Sequence, residues 1–176
     1  MSTYDSNSTG SAAERTVALF LEYPGSGVAV SFLGDKFELV DLLAQINDSE
    51  RPLPFFIQVK GTILGPTGSG ASARLSVKLS AVDHIRLAKY PGPTYFAGVD
   101  ESGGPLSSGV VPKVYLKVIR GTPSQGFGSI RANPKMELNH KTIELLKNEL
   151  RLFYNSTDPN IKNNYRSNFD DNETPE

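Results

Sequence analysis

The chain contains no cysteine, no tryptophan and only two histidines among its 176 residues. The lack of cysteine excludes disulfides, thiolate nucleophiles and Cys-based zinc sites. His84 and His140 are far apart in the sequence, so we do not expect a His-rich metal site. Any metal ion bound to this chain is therefore expected to have oxygen ligands.

Long hydrophobic runs are also missing. No apolar stretch approaches the roughly 20 residues that a membrane-spanning helix needs, and the chain starts with polar residues instead of a basic and then apolar leader. We therefore expect a cytoplasmic protein. A chain of 176 residues with 38% hydrophobic and 21% charged residues is typical of one globular domain.

Charge is nearly balanced over the whole chain, at −1, but not along it. Residues 60–135 contain ten basic and three acidic residues, whereas both ends of the chain are acidic. A face formed by these basic side chains would attract phosphate, and the alternative is a solvated surface balanced by the acidic ends. The ten residues are Lys60, Arg74, Lys78, Arg86, Lys89, Lys113, Lys117, Arg120, Arg131 and Lys135.

Hydrophobic periodicity predicts an α/β fold in a single domain at residues 11–154. We expect residues 1–10 and the polar residues 155–176 to be disordered. The order of predicted elements implies a mixed β-sheet flanked by helices. These elements are a helix with Ser11 as its N-cap, strands at 28–32, 37–46, 53–60 and 74–79, a helix at 80–90, strands at 94–99 and 111–119, and a helix at 138–154.

The glycine-rich segment GPTGSGAS, residues 65–72, has the glycine spacing of a phosphate-binding loop. Ala71 stands where such a loop has its phosphate-contacting lysine, and a strand is expected to follow where the loop would need a helix. A Gly-x-Ser-x-Gly motif of serine hydrolases is absent as well. A small-ligand site at the glycine loop is retained only as a third hypothesis.

Polar side chains interrupt two predicted strands at positions that would meet. Asp41 interrupts an apolar face of the second strand, and Gln58 and Lys60 share one face of the third, because alternate residues of a strand point the same way. If these strands pair, a carboxylate, an amide oxygen and an ammonium converge at one end of the sheet. Glu14, in the first turns of the first helix, would add another oxygen. Such a set can hold Mg²⁺ and stabilise the charge that develops in phosphodiester hydrolysis.

The stretches ELVDLLAQI and PFFIQVKG, which follow a helix and a first strand, resemble the core of the PD-(D/E)XK phosphodiesterase superfamily. In that family an aspartate precedes a Glu/Asp/Gln-x-Lys motif by about ten to twenty residues, as Asp41 precedes Gln58-Val59-Lys60 here. Together with PGPTYFAGVD, the QVK motif is similar to that of a poorly characterised bacterial domain of unknown function within the superfamily. The resemblance covers roughly residues 11–120.

This resemblance implies a restriction-endonuclease-like core and a nuclease that acts on nucleic acid, in particular DNA. It implies that Asp41, the side-chain oxygen of Gln58, the carbonyl of Val59 and Glu14 hold Mg²⁺ or Mn²⁺. Lys60 would orient the attacking water and stabilise charge on the phosphate. Many such nucleases act as dimers, so the resemblance also implies a homodimer.

The sequence leaves a structural explanation open for each of these residues. Asp41 could bond backbone groups at a strand end, Lys60 could extend from the strand to water, and Glu14 is favoured near a helix N-terminus by the helix dipole. Gln58 is neutral and supplies one less negative charge for a metal than the glutamate of the motif would. The competing hypothesis is therefore a catalytically inactive module of the same fold that binds nucleic acid or a partner protein, for instance in phage defence or a mobile element.

Overall fold

The computed structural model describes residues 6–34, 37–48, 50–104, 108–121, 126–158 and 167–170, with side chains from residue 12 onward. Within these ranges the chain forms an α/β fold with a five-stranded mixed sheet, a two-stranded sheet and three α-helices. The elements are α1 (Ser6–Leu21), β1 (Val28–Phe32), β2 (Leu42–Asn47), β3 (Pro52–Thr62), β4 (Arg74–Leu75), α2 (Ala81–Leu87), β5 (Thr94–Asp100), β6 (Lys113–Ile119), β7 (Ile130–Arg131) and α3 (His140–Asn155). None of the helices in the described ranges is long and apolar enough to cross a membrane.

The main sheet has the strand order β1–β2–β3–β5–β6. Strands β1 to β3 form an antiparallel meander, whereas β5 runs parallel to β3 and antiparallel to β6. β3 is therefore hydrogen-bonded on both sides, which suits its nearly continuous apolar sequence. The predicted mixed sheet flanked by helices is confirmed.

Helices α1 and α3 cover one face of the main sheet. Ala13 of α1 lies beside Gly61 of β3. Tyr95 of β5 donates a hydrogen bond of 2.7 Å to the carboxylate of Glu149 on α3. This face is also the one on which the odd-numbered residues of β3 are buried, from Leu53 to Val59.

Helix α2 and the small sheet of β4 and β7 cover the opposite face. A side chain at Gly98 of β5 would meet Ile130 of β7 and Leu75 of β4. Tyr90, which follows α2, packs on Phe56 of β3 with ring centroids 5.0 Å apart. Because residues alternate along β3, this second face also carries Gln58 and Lys60.

Helix α1 begins earlier than the sequence predicted. It starts at Ser6, so residues 6–10 are helical and Ser11 is not its N-cap, while residues 1–5 lie outside the described ranges. The predicted core positions Ala13 and Val17 are buried. The early start is hard to predict because Ser, Asn, Thr and Gly have weak helix preference, whereas adding residues to an existing helix costs less than starting one.

Three strands are shorter than predicted. β2 begins at Leu42 instead of residue 37, β4 ends at Leu75 instead of residue 79, and β6 begins at Lys113 instead of residue 111. Burial still alternates beyond β4, since Val77 and Leu79 are both buried. Leu79 forms a single antiparallel bridge with Phe127, whereas Val77 is buried by packing against Gly98 of β5. Alternation of apolar and polar residues in the sequence therefore predicts which side chains are buried more directly than it predicts strand hydrogen bonding.

Residues 167–170 correct the prediction that the whole segment 155–176 is disordered. Phe169 is fully buried, and its carbonyl oxygen accepts a hydrogen bond from the Val118 N–H at 2.9 Å. Ser167 Oγ and the Asn168 N–H donate to the Glu149 carboxylate at 2.7 and 3.0 Å. One aromatic ring and one buried carboxylate therefore anchor a segment whose polar composition indicates disorder. Residues 159–166 and 171–176 lie outside the described ranges.

Phe169→Ala is expected to destabilise the protein by about 3–5 kcal/mol, because it removes a fully buried ring. Phe32→Ala is the matched control, since the Phe32 ring is 53% exposed and its loss should cost much less. Chemical denaturation of both variants measures the difference. Equal losses would show that residues 167–170 do not belong to the core.

Candidate functional site

Asp41 and the QVK segment meet where β2 joins β3 in the sheet. Oδ2 of Asp41 accepts hydrogen bonds from Gln58 Nε2 at 2.7 Å and from the Val59 backbone N–H at 2.6 Å. The antiparallel register pairs Leu42 with Ile57, which places Asp41 opposite Gln58. Strand pairing thus joins side chains 17 positions apart in the sequence.

Asp41 lies immediately before β2, and its side chain continues the hydrogen bonding of the strand pair. The Asp41 N–H donates to the Ile57 carbonyl at 3.0 Å, and the Asp41 carbonyl accepts from the Leu33 N–H at 2.9 Å. Two residues further along β3, the Val59 N–H donates to the Asp41 carboxylate instead of to a backbone carbonyl. The structural explanation, a carboxylate bonded to backbone at a strand end, is therefore supported. This structural role does not exclude a metal-ligand role, because both hydrogen bonds are accepted by Oδ2 and neither involves Oδ1.

The electrostatic environment of Asp41 favours a nearby positive charge. Burial raises the pKa of the Asp41 carboxyl above its ordinary value of 3.8, whereas the Val59 N–H bond and the charge of Lys60 act to lower it. Because burial dominates, the ionised carboxylate costs stability that a further cation would offset. Lys60 itself is exposed at the end of the apolar run.

Gln58 is 5% exposed and presents its amide nitrogen to Asp41. The same Nε2 lies 3.4 Å from the Val59 carbonyl oxygen. The nitrogen and oxygen of such an amide are assigned from the hydrogen bonds around it. Rotation of the amide by half a turn would direct Oε1 toward Asp41. The Gln58 atom that lies between Asp41 and the Val59 carbonyl is therefore Nε2, and the predicted ligand atom Oε1 would take its place only after this rotation.

These donors suit a cation that keeps most of its own water. Asp41 supplies one charged oxygen, and Gln58 and Val59 supply neutral ones. In the part of the chain that the structure describes, no group of three or more His, Asp or Glu side chains is placed to hold a metal ion. Mg²⁺ commonly binds to one or two carboxylates, with waters and substrate phosphates as its other ligands. With the Gln58 amide turned, these oxygens could hold Mg²⁺ or Mn²⁺ in that open manner, which stays a prediction.

Glu14 lies on the other side of the sheet from Gln58. It is half-buried on α1 and follows Ala13, which packs at Gly61 on the α1 face. Its assignment as a metal ligand therefore stays a prediction.

At least four of the ten basic residues in the segment 60–135 are engaged with other residues in the described part of the chain. Three form ion pairs, which are Arg86–Glu38 at 2.6 Å, Lys113–Glu137 at 3.7 Å and Arg120–Asp170. Lys117 is only 9% exposed and lies 5.2 Å from the ring centroid of Phe127. For Lys113, Lys117 and Arg120 the alternative of internally balanced charge fits better than a phosphate-attracting face. The Arg86–Glu38 pair is exposed on both sides, so Arg86 is not assigned to either alternative.

Glu101 was not among the predicted site residues. It directly follows β5, and its N–H donates to the Thr62 carbonyl of β3 at 2.9 Å. Its side-chain Oε2 is buried without a hydrogen-bond partner among the described residues, and burial raises the pKa of this carboxyl. An orphaned buried oxygen is uncommon in native structures and indicates either strain or a functional site.

Gly61 makes room for the Glu101 carboxylate at the end of the QVK motif. A Cβ at Gly61 would collide with Glu101 Oε2 and lie 3.1 Å from Ala13 Cβ. A sequence signal that could have indicated Glu101 is the acidic pair Asp100-Glu101 at the end of the apolar strand β5. The structure shows that β5 runs parallel to β3, and the carboxyl ends of parallel strands meet at one edge.

Comparison with protein-family models, curated proteins and solved structures returned no significant match to this chain. The geometry at Asp41 and β3 is what bears on its function.

Asp41→Asn is expected to raise the melting temperature by a few degrees at pH 7, because it removes a charge that burial disfavours while an oxygen remains to accept the Val59 N–H. A carboxyl with a raised pKa contributes stability fully below its unfolded value of 3.8 and loses it as the pH rises through the folded pKa. The gain should therefore shrink as the pH is lowered toward 4. Thermal unfolding at both pH values measures it, with Glu50→Gln as the control, because it changes an exposed carboxylate. A lower melting temperature at pH 7 would mark Asp41 as a structural strand cap.

Gly61→Ala is expected to destabilise the protein by about 1 kcal/mol, because the added methyl shifts the flexible Glu101 carboxylate and crowds Ala13 Cβ. In a Glu101→Ala background the same change should cost at least about 0.5 kcal/mol less. Gly128→Ala is the matched control, since a Cβ there meets nothing within 4 Å. The same cost in both backgrounds, measured by urea denaturation, would rule out the contact.

Proposed function

We propose that this protein is a metal-dependent phosphodiesterase that hydrolyses DNA, built on a restriction-endonuclease-like core. The observation that carries the proposal is the contact of Asp41 Oδ2 with both Gln58 Nε2 and the Val59 N–H. These are the motif residues that the resemblance to PD-(D/E)XK enzymes assigns to the active site. Strand pairing brings them together at one position in the sheet.

The element order lends further support. Helix α1, the antiparallel strands β1 to β3, helix α2 and then β5 follow the order on which the resemblance rests. The QVK motif lies toward the carboxyl end of β3, and β5 runs parallel to it. In α/β sheets the carboxyl ends of parallel strands are frequent sites of ligand binding.

The proposed roles are consistent with the surroundings of Asp41, Gln58, Val59 and Lys60. Glu14 lies on the other side of the sheet, so its role rests on the resemblance alone. Asp41 and the carbonyl of Val59 would hold Mg²⁺ or Mn²⁺, with Gln58 contributing Oε1 after its amide turns and Glu14 as a further predicted ligand. Lys60 is exposed, and its charge acts on Asp41, so it can reach a phosphate beside that carboxylate. There it would orient the attacking water and stabilise negative charge on the phosphate. The cation, when bound, would supply Lewis-acid stabilisation of the phosphate oxygens.

A non-catalytic module that binds nucleic acid is the second candidate. The Gln58 amide already donates to Asp41, so this carboxylate is hydrogen-bonded without a cation. Salt-sensitive DNA binding that neither Mg²⁺ nor Asp41→Ala affects would favour this candidate.

Asp41→Ala and Lys60→Ala are each expected to lower DNA cleavage by at least about 100-fold, because they remove a metal ligand and a charge that stabilises the phosphate. Calorimetric titration with Mn²⁺ should lose its signal in Asp41→Ala only. Gln58→Glu should bind Mn²⁺ more tightly, since it adds a negative charge at the same position. Lys141→Ala, which changes an exposed cation on α3, is the control. Cleavage that survives both Asp41→Ala and Lys60→Ala would refute the nuclease proposal.

A further inference from the structure

A groove opens on the α2 face of the sheet, next to the Asp41 site. Its volume is about 380 Å³. One wall is the segment that leads into β2, and the other is the carboxyl end of α2 with the residues after it. The lining residues are Phe37, Glu38, Leu39, Arg86, Lys89 and Tyr90.

Two connections place this groove beside the candidate site. Leu39 lies two residues before Asp41 in the chain. Tyr90 packs on Phe56, which lies two residues before Gln58 on the same face of β3. A chain molecule that lies in the groove would therefore continue toward Asp41 and Gln58.

The groove combines an exposed aromatic ring with cations. Phe37 is 50% exposed, although a phenylalanine gains by burial. Lys89 is exposed and has no ion-pair partner among the described residues. Arg86 donates one bond to Glu38 at 2.6 Å, which leaves other donors of its planar guanidinium for a second acceptor.

This combination suits one kind of ligand. Proteins that bind single-stranded nucleic acid place bases on aromatic rings and backbone phosphates against basic side chains. In a duplex the bases are stacked on each other, so a ring such as Phe37 cannot reach their faces without unstacking them. A groove of this volume has room for a small number of groups and not for a double helix.

We propose that the groove between Phe37 and Lys89 binds a single nucleic-acid strand, with a base on Phe37 and a phosphate at Lys89 and Arg86. The inference rests on the proposed function, because it places the strand next to the residues that would cleave it. It specifies the substrate as a single strand or an unpaired end. Glu38 competes with the phosphate for Arg86 and so limits the affinity.

The test is fluorescence anisotropy with a labelled oligothymidine and with an abasic strand of the same length, in EDTA and at low salt. Phe37→Ala should weaken binding of oligothymidine between about fivefold and a hundredfold and leave the abasic strand unchanged. Lys89→Ala should weaken both strands and reduce the salt slope by about 0.7, the value for one phosphate contact on a single strand. Glu38→Gln should tighten both strands, because it releases Arg86.

Phe32→Ala and Lys141→Ala are the matched controls, since they change another exposed phenylalanine and an exposed lysine on a different element. The proposal is overturned if Phe37→Ala weakens binding no more than Phe32→Ala, or weakens the abasic strand equally. Tighter binding of a blunt duplex that Phe37→Ala does not affect also overturns it.

The two proposals fail separately. If the groove variants bind the single strand normally but cleavage depends on Asp41, the strand-binding proposal is refuted and the nuclease proposal stands. If the groove variants lose strand binding but the protein cleaves no DNA, the nuclease proposal is refuted and the strand-binding proposal stands.

Discussion

The double pairing of β3 is the constraint on which the rest of the structure depends. Its backbone is hydrogen-bonded to β2 on one side and to β5 on the other, and its apolar side chains are buried on the α1 face. The antiparallel register with β2 sets Asp41 opposite Gln58, and the parallel register with β5 sets Glu101 beside Gly61. A slip of one residue in either register would move these groups to the wrong face.

Three buried or half-buried carboxylates differ in how completely hydrogen bonds compensate their burial. Burial raises the pKa of Glu149, Asp41 and Glu101 alike. Glu149 is compensated by bonds from Tyr95, Ser167 and Asn168, which tie α3 to the sheet and to the segment 167–170. The burial of Asp41 is less completely compensated, because both of its hydrogen bonds are accepted by Oδ2. Glu101 Oε2 is the least compensated of the three, since it has no hydrogen-bond partner among the described residues.

The incompletely compensated acids lie toward the carboxyl end of β3, where the QVK motif and Gly61 are. Proteins tolerate such unfavourable charge where a ligand or substrate can offset it, at some expense of stability. The basic residues show a related division. Arg120 is paired with Asp170, whereas Lys60 and Lys89 are exposed on or beside the α2 face. Lys60 and Lys89 are therefore two exposed charges that lie close to the candidate site.

The sequence by itself determined the α/β class, the position of β3 and the polar cluster of Asp41, Gln58 and Lys60. It could do so because hydrophobic periodicity reflects burial and because a polar residue within an apolar strand stands out. The predictions failed at residues 6–10 and 167–170 and at the start of β2, where helix extension, one buried ring and strand pairing override local preference.

Only the tertiary structure decided that Glu101 lies beside Gly61, that Phe37 shares a groove with Lys89, and that Phe169 belongs to the core. Each of these contacts joins residues that are distant along the chain. Such contacts depend on the order and register of the strands, and local composition carries no record of either.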